Sequence, residues 1–393
     1  MKTKSTIHVL PALAILFVLL VSACGPRTPN VIRIGGIFDL TGATSEVGIP
    51  YANGVRDAVK YINSLGGING RQIELIDEDY GYNIERGKAL YTRLVEEDGV
   101  VAIMGWGTGD TEALRPLITA DEIPFMSASY AESLTVMEDA PYNFLIGVTY
   151  SDQMRIALQY ILDTWTDTSR PPRVALLYND TAFGLSPIQD GRDYAAAHSI
   201  EIVDEQVISL STTDATSELT AMSAAKPDYA IVQETTAAGA VIVSNARELG
   251  LETQIILLNW TADEKLIALS GESAEGVLGA VPFAFYHEDV PGLKELKDYA
   301  AAQGIAESTF NIRYVQGWVT MHIMAEGIRQ AGDDLTGRGI REGLERLTNY
   351  ETGGITAPIS FSSTSHKGVN SLKIYQVQDG VWMPITDFLR AQP

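Results

Sequence analysis

Apolar and polar positions alternate along this chain in blocks, and the period switches between two and about 3.6 residues. Short apolar runs at 31–38, 72–76, 100–104 and 123–127 read as strands. Between the first two, Val55, Ala58, Val59 and Ile62 form the i, i+3, i+4, i+7 stripe of a one-faced helix. Gly66-Gly67-Ile68-Asn69-Gly70 then ends that helix, because Gly and Asn tolerate the positive φ of a helix stop. The rhythm repeats with strands at 173–178, 200–208, 229–233 and 254–258 and helices at 184–198, 215–225 and 237–249. Continuous apolar strands alternating with helices predict parallel sheets covered on both faces, one before about residue 148 and one after it, each of about four or five strands.

From Gly276 the texture changes. A strand at 276–283 leads into helices at 291–303, 309–330 and 336–347. The middle helix carries Tyr314, Trp318, Met321, Ala325 and Ile328 on one stripe, a core-packing pattern. A break at 353–358 follows, and then a hairpin of 372–377 and 381–385 turning on Asp379-Gly380.

The first thirty residues follow another logic. Lys2 and Lys4 precede an apolar run from Val9 to Val21, too short for an ordinary spanning helix of ~20 residues, and small residues lead to Cys24. Val21-Ser22-Ala23-Cys24 resembles the lipobox of bacterial lipoproteins. It implies a signal peptide over 1–23, lipidation at Cys24, a polar tether over 24–30 and an exported body held by lipid to a bacterial membrane, facing the periplasm or the exterior. The alternative is an uncleaved anchor with an incidental cysteine.

The remaining 363 positions have no cysteine, since Cys24 is the only one, so intramolecular disulfides and multi-cysteine metal sites are excluded. Fifty acids face 28 bases for a net charge of −22, which speaks against nucleic acid and against basic attachment to anionic lipid. Catalytic patterns are missing: no phosphate loop, no zinc helix, no nucleophile elbow. Gly105-Trp106-Gly107-Thr108-Gly109 lacks the third glycine of a dinucleotide fingerprint. The five histidines are scattered, and each is expected to be exposed or structural. Asp77-Glu78-Asp79 reads as a solvated strand end, with a cation or carboxylate site as the alternative. No catalytic residue, metal or cofactor is expected.

Ligands of open α/β sheets bind beyond the carboxyl ends of the strands. Those ends carry Trp106 to Thr111, Ser127 to Tyr130, Asn179 to Gly184, Glu234 to Thr236 and Asn259 to Thr261. Hydroxyls, free backbone N–H groups and aromatic rings thus recur along one edge of both sheets. Thr108 to Thr111 opens a helix, a place suited to an anionic group. Helix capping explains some of these hydroxyls but not the rings, so a ligand cleft is expected.

With Ile34 to Gly42, with Ile62-Asn63 and Gly66-Gly67-Ile68-Asn69-Gly70-Arg71, with Val101 to Gly105, Ala246 to Leu251 and Gly271 to Val277, the chain resembles the leucine/isoleucine/valine-binding proteins of ABC importers. That resemblance implies the type I periplasmic-binding-protein fold, two Rossmann-like lobes joined by a three-crossing hinge. The crossings would fall at 146–150, 280–285 and 353–358. The lobes would be 31–148 plus 284–352, and 149–280 plus 355–393. It also implies a non-enzymatic receptor that shuts on a small molecule and presents it to importer membrane subunits. The binding positions it implies are Thr108, Gly109, Thr111, Ala128, Ser129 and Tyr130 in lobe one, with Phe183, Thr235 and Trp260 in lobe two and Tyr150 at the hinge. The family's acidic partner for a ligand ammonium aligns with Trp260, a hydroxyl position aligns with Tyr130, and Gly81 and Thr108 stand near the usual cysteine pair. Without that acid a buried ammonium would be costly, unless Glu234 or Asp263 turns inward, so an aromatic or carboxylic acid or an amide also fits. A sensing module for a chemoreceptor or kinase, and an exported enzyme, are the other readings.

Overall fold

The computed structural model describes residues 1–3 and 31–391; the expected leader, the tether and Cys24 lie outside the described residues, apart from the first three positions. The first sheet is built from β1 (Val31–Phe38), β2 (Gln72–Asp79), β3 (Ala102–Gly105), β4 (Phe125–Ser127) and β5 (Asn143–Phe144), all parallel, in the order β2-β1-β3-β4-β5. Between these strands run α1 (Ser45–Ser64), α2 (Ile84–Glu96) and α3 (Thr108–Asp121).

The second sheet begins after α4 (Tyr150–Thr164). It contains β6 (Arg173–Tyr178), β7 (Glu201–Val207), β8 (Tyr229–Gln233), β9 (Gln254–Leu258) and β10 (Leu278–Val281) in the parallel order β7-β6-β8-β9-β10. Its helices are α5 (Ala182–Leu185), α6 (Ile188–Ala197), α7 (Thr216–Ala224), α8 (Thr236–Glu248) and α9 (Glu264–Ser270). The chain returns to the first lobe for α10 (Pro291–Gln303), α11 (Ile312–Ala331) and α12 (Gly337–Glu345). It then closes the second sheet antiparallel with β11 (Ser371–Gln378), β12 (Val381–Pro384) and β13 (Leu389–Arg390).

The expected strands at 31–38, 173–178, 229–233 and 254–258 and the helix at 291–303 have the bounds read from the pattern. The helix expected over 184–198 is instead two, α5 and α6, because Pro187 lacks the N–H that a continuous helix needs. The second sheet is larger than expected, eight strands rather than four or five, since the C-terminal hairpin and β13 extend it.

The third passage between lobes also differs from expectation. The segment 353–358 still packs on the first lobe side, where Gly292 N donates to Gly353 O (2.8 Å) and Ala284 N donates to Ile355 O (2.7 Å). The chain leaves the first lobe later: Lys367 pairs in parallel with Leu145, next to β5, and β11 starts at Ser371. This contact joins residues more than two hundred positions apart, which local pattern does not reveal. His366, expected from its polar neighbours to be exposed or structural, is wholly buried there. It stacks on Phe144 at 3.7 Å between ring centroids, and its ring nitrogens face Asn143 O (3.0 Å) and Glu345 Oε1 (3.1 Å).

The stripe on α11 is core, as its pattern predicts, and the helix packs closely on α1. Two glycines allow that approach. A Cβ on Gly317 would stand 2.0 Å from Tyr51 O, and one on Gly54 would stand 2.1 Å from Tyr314 O. Gly317→Ala therefore forces the helices apart. It is expected to cost about 1–3 kcal/mol, read as a lowered urea midpoint with unchanged slope; an unchanged midpoint would show that α1 and α11 separate freely.

Candidate functional site

Both sheets share one strand order. The point where that order reverses lies between β1 and β3 in the first lobe, and between β6 and β8 in the second. A crevice opens at such a point because the flanking connections run to opposite faces of the sheet. Here the two crevices face each other, and between them lies a cavity with about 280 Å3 of empty space. Its lining is Thr44, Val47, Tyr82, Trp106, Gly107, Thr108 and Ala128 from the first lobe, with Tyr150, Phe183, Thr235 and Trp260 from the second.

The first-lobe wall starts from the carboxylate of Asp39, just past β1. It accepts from Gly42 N (2.6 Å), Thr44 N (2.8 Å) and Thr44 Oγ1 (2.7 Å), and so turns the chain into α1 with Thr44 and Val47 toward the cleft. Trp106, past β3, is fixed by its indole N–H donating to Thr44 Oγ1 at 2.8 Å. Gly107 follows at the N-cap of α3. A Cβ there would meet Asp110 Oδ1 at 2.3 Å and Tyr80 OH at 2.5 Å, so only glycine fits. As a result no N-cap side chain bonds α3; the buried Asp110 carboxyl of its first turn takes the backbone N–H groups of Gly107 and Asp110, and Gly107 and Thr108 border the cavity. Thr108 Oγ1 shares a hydrogen bond with Ser129 Oγ (2.7 Å). Tyr82 reaches the cleft from a left-handed backbone position (φ 55°), a conformation costing a bulky residue about 1–3 kcal/mol.

The second-lobe wall centres on Trp260. Its ring stacks on Tyr130 (6.1 Å, 16° between planes) and meets Trp106 edge-on at 5.1 Å; its indole N–H donates to Tyr150 OH at 3.0 Å. The Arg313 guanidinium lies 5.0 Å from the Trp260 ring centroid. Thr235, the N-cap of α8, makes no capping bond, and its buried hydroxyl has no partner. The next free N–H, from Ala237, is taken across the cleft by Glu46 Oε1 of α1 at 2.9 Å.

Other bonds also join the lobes directly. Gln316 Nε2 donates to Asn259 Oδ1 (3.1 Å), Arg313 Nη2 to Ala262 O (2.9 Å) and Ile312 N to Glu264 Oε2 (2.9 Å). Arg313 and Asp263, both buried, pair at 3.4 Å. These ties describe a shut arrangement with the cavity inside it.

No charged side chain lines the cavity. Asp263 does not turn inward: it caps α9 through Leu266 N (2.8 Å), accepts from Thr236 Oγ1 (2.6 Å) and faces Arg313. Glu234 is buried behind the wall, where Asn179 Nδ2 donates to Oε2 (3.1 Å) and Oε1 has no partner. Burial pushes its carboxyl up to about 8, while Asp110, whose Oδ2 is likewise unpartnered, is pushed up to about 6 by burial. The folded chain thus holds a proton on Glu234 that the unfolded chain releases near pH 4.5. Stability is full below that point and is lost as pH rises toward 8. Glu234→Gln is expected to be more stable than the parent at pH 8, by on the order of a few kcal/mol, and equal near pH 4. Denaturation at the two pH values reads this out, and an equal difference at both would contradict it.

Of the ten positions expected from sequence, Thr108, Ala128, Tyr150, Phe183, Thr235 and Trp260 line the cavity. Four do not. Gly109 sits at its rim, where a Cβ would lie 3.8 Å from the Ala182 Cβ of the other lobe. Thr111 turns its hydroxyl to Gly107 O (2.6 Å) and Ser127 Oγ (2.9 Å), Ser129 supports Thr108, and Tyr130 backs Trp260. The wall also includes Thr44, Val47 and Tyr82, which sequence reasoning missed. Trp106 and Gly107 lie in a loop it did single out. The acids at the end of β2 are paired rather than grouped as ligands: Asp77 with Arg56 (2.5 Å), Glu78 with Arg93 (3.1 Å), and Asp79 accepting from Leu40 N (2.8 Å). Among the described residues no cluster of metal-ligating side chains is found.

Known proteins share this architecture. The family model described as periplasmic binding protein matches residues 31–381. A substrate-binding protein of an ABC transporter from Aeropyrum pernix superposes with a TM-score of 0.86 at 30% identity, covering 92% of this chain and 96% of that one. A branched-chain amino acid ABC transporter protein from Thermus thermophilus, solved with bound valine, gives 0.86 at 26% identity over the same shares. The Leu/Ile/Val-binding protein of Escherichia coli is 24% identical over 276 residues, 69% of this chain and 72% of that protein. Two parallel-sheet lobes facing each other across a lined cleft, together with these matches, place the chain in the periplasmic binding protein family, as a non-enzymatic, small-solute-binding component of ABC transport with the type I fold.

Proposed function

We propose that this protein is a lipid-anchored receptor, attached through Cys24, that takes up a small carboxylic acid without an α-ammonium group and hands it to importer membrane subunits. The observation that carries the ligand class is the cavity wall: the α3 N-terminus and an unpartnered Thr235 hydroxyl beside aromatic rings, with no carboxylate among the lining residues. A helix N-terminus favours an anionic oxygen. The rings of Trp106, Phe183 and Trp260 suit a flat or branched apolar body. An ammonium buried there would lack a counter-charge, a cost of several kcal/mol. The Thermus thermophilus relative holds valine, so valine and its des-amino analogue frame the choice.

A ligand that touches both lobes favours the shut form only to the extent that it binds that form better. The cleft offers such contacts from Thr108 on one side and Thr235 on the other. A thermal-shift panel of valine, 3-methylbutanoate, phenylacetate and their amides tests the reading, since a ligand of the native state raises the melting temperature. The carboxylic acids are expected to give the largest shifts. A larger shift with valine than with 3-methylbutanoate would overturn the ligand class.

A further inference from the structure

One short stretch of the second lobe grips the first turn of α11. Asn259, Ala262, Asp263 and Glu264 all reach residues 312–316 of the first lobe. This joint holds one buried cation, Arg313, and two acids. Asp263 takes the cation at 3.4 Å. Glu264 is left over. Part of the residue stays at the surface, but its carboxyl turns into the joint: Oε2 accepts from Ile312 N (2.9 Å), and Oε1 is buried with no partner.

The groups facing this carboxyl do not neutralise it. Asp263, just before it, carries the like sign, and Arg313 of α11 is already engaged. Lys265, just after it, directs its ammonium to Glu46 of α1 (4.0 Å). Trp382 of β12 brings only a neutral indole N–H, donated to Asp263 O (2.8 Å). Shutting a second carboxylate charge into the joint costs more than shutting in the neutral acid, which still accepts from Ile312 N. Burial accordingly pushes the Glu264 carboxyl up to about 7; the Asp263 charge adds to this, while the backbone N–H and Arg313 oppose it.

When the lobes part, Ile312 and Arg313 leave with the first lobe. Water then reaches the carboxyl, which returns toward its ordinary 4.5. Asp110 and Glu234 differ in this respect. Their hydrogen-bond partners, Tyr80 (2.9 Å) and Asn179 (3.1 Å), belong to their own lobes and travel with them. We propose that the protein binds a proton at Glu264 each time the lobes shut, so that solute and proton are taken up and released together. The shut form has this contribution in full below pH 4.5 and loses it as pH rises through 7.

The lobes can be locked without solute by oxidising Gly109→Cys/Ala182→Cys in a Cys24→Ser background, since these Cβ positions lie 3.8 Å apart across the rim. Carbon-13 NMR of glutamate-labelled protein then follows the carboxyl signal that Glu264→Gln removes, a variant that keeps the acceptor for Ile312 N. In the locked protein that signal is expected to titrate near 7, and in the reduced protein at least about one unit lower. For a compound of the thermal-shift panel that binds, affinity is expected to be about tenfold weaker at pH 8 than at pH 6, and equal at both in Glu264→Gln. The proposal does not depend on which compound the cleft holds, and the locked titration needs none. A Glu264 signal that titrates at the same pH in locked and reduced protein, or a Glu264→Gln variant that keeps the tenfold fall, would overturn it.

Discussion

Trp260→Ala is expected to lower affinity for the cleft's cognate acid by about 100-fold or more, in the range of buried aromatic anchors. The ring does three things at once. It forms the second-lobe wall, it is held by Tyr150 and Tyr130, and it covers the Arg313 guanidinium. Its removal leaves a space that Trp106 fills only by giving up its edge contact with Tyr51 (5.3 Å), and Tyr130 only by giving up its contact with Tyr150 (5.8 Å). Isothermal titration checks the effect, and the loss should exceed that of Asp263→Asn, because Asp263 does not line the cleft. The reverse order would mean that a carboxylate, not a ring, holds the ligand, and would return the ammonium model of α-amino acid recognition.

The second large effect concerns stability. Asp263→Ala is expected to cost about 3–5 kcal/mol, the range for leaving one member of a buried pair uncompensated. Arg313 is wholly buried on α11 of the first lobe, and Asp263 on the loop before α9 of the second is its nearest acid at 3.4 Å. Burial already lowers the Arg313 pKa, which shows how little water compensates the guanidinium. The same carboxylate caps α9, so the substitution also removes about 1 kcal/mol of capping. Asp263→Asn keeps the cap acceptor and should lose mainly the charge. Urea denaturation of the three proteins measures both parts. A loss under about 1 kcal/mol for Asp263→Ala would mean that Glu264 or water takes over Arg313.

Much of the fold could be read from periodicity. Runs such as Arg173–Tyr178 and Tyr229–Gln233 are apolar on both faces and end in turn residues, so their bounds follow locally. What periodicity does not encode is pairing at a distance. β5 is only Asn143–Phe144, and it acquires its place from Phe125 and Met126 on one side and the 366–368 segment on the other. For the same reason the third passage was expected a dozen residues too early, and His366 gave no sign of its burial against Phe144.

The site divides along the same line. Loops after β3, β6, β8 and β9 could be picked out because ligands gather at strand ends. Thr44 and Val47 could not, since they face the cleft only after Asp39 has turned the chain through three hydrogen bonds. Tyr82 depends on two successive positive φ angles, at Gly81 and at Tyr82 itself. Conversely Thr111 and Ser129 look like ligand hydroxyls in sequence, yet their hydrogen bonds go to the loop that presents Thr108.

With the cleft shut, solute is expected to enter and leave only when the two lobes part. Gly109 and Ala182 allow a direct test, because their Cβ positions lie 3.8 Å apart across the cleft, within the range a disulfide bridges. Cys24 is the only natural cysteine, so a Cys24→Ser background gives Gly109→Cys/Ala182→Cys a single possible bond. The oxidised double variant is expected to neither take up nor release the acid that gives the largest thermal shift, and reductant should restore exchange. Equal exchange rates in the oxidised and reduced protein would contradict the account.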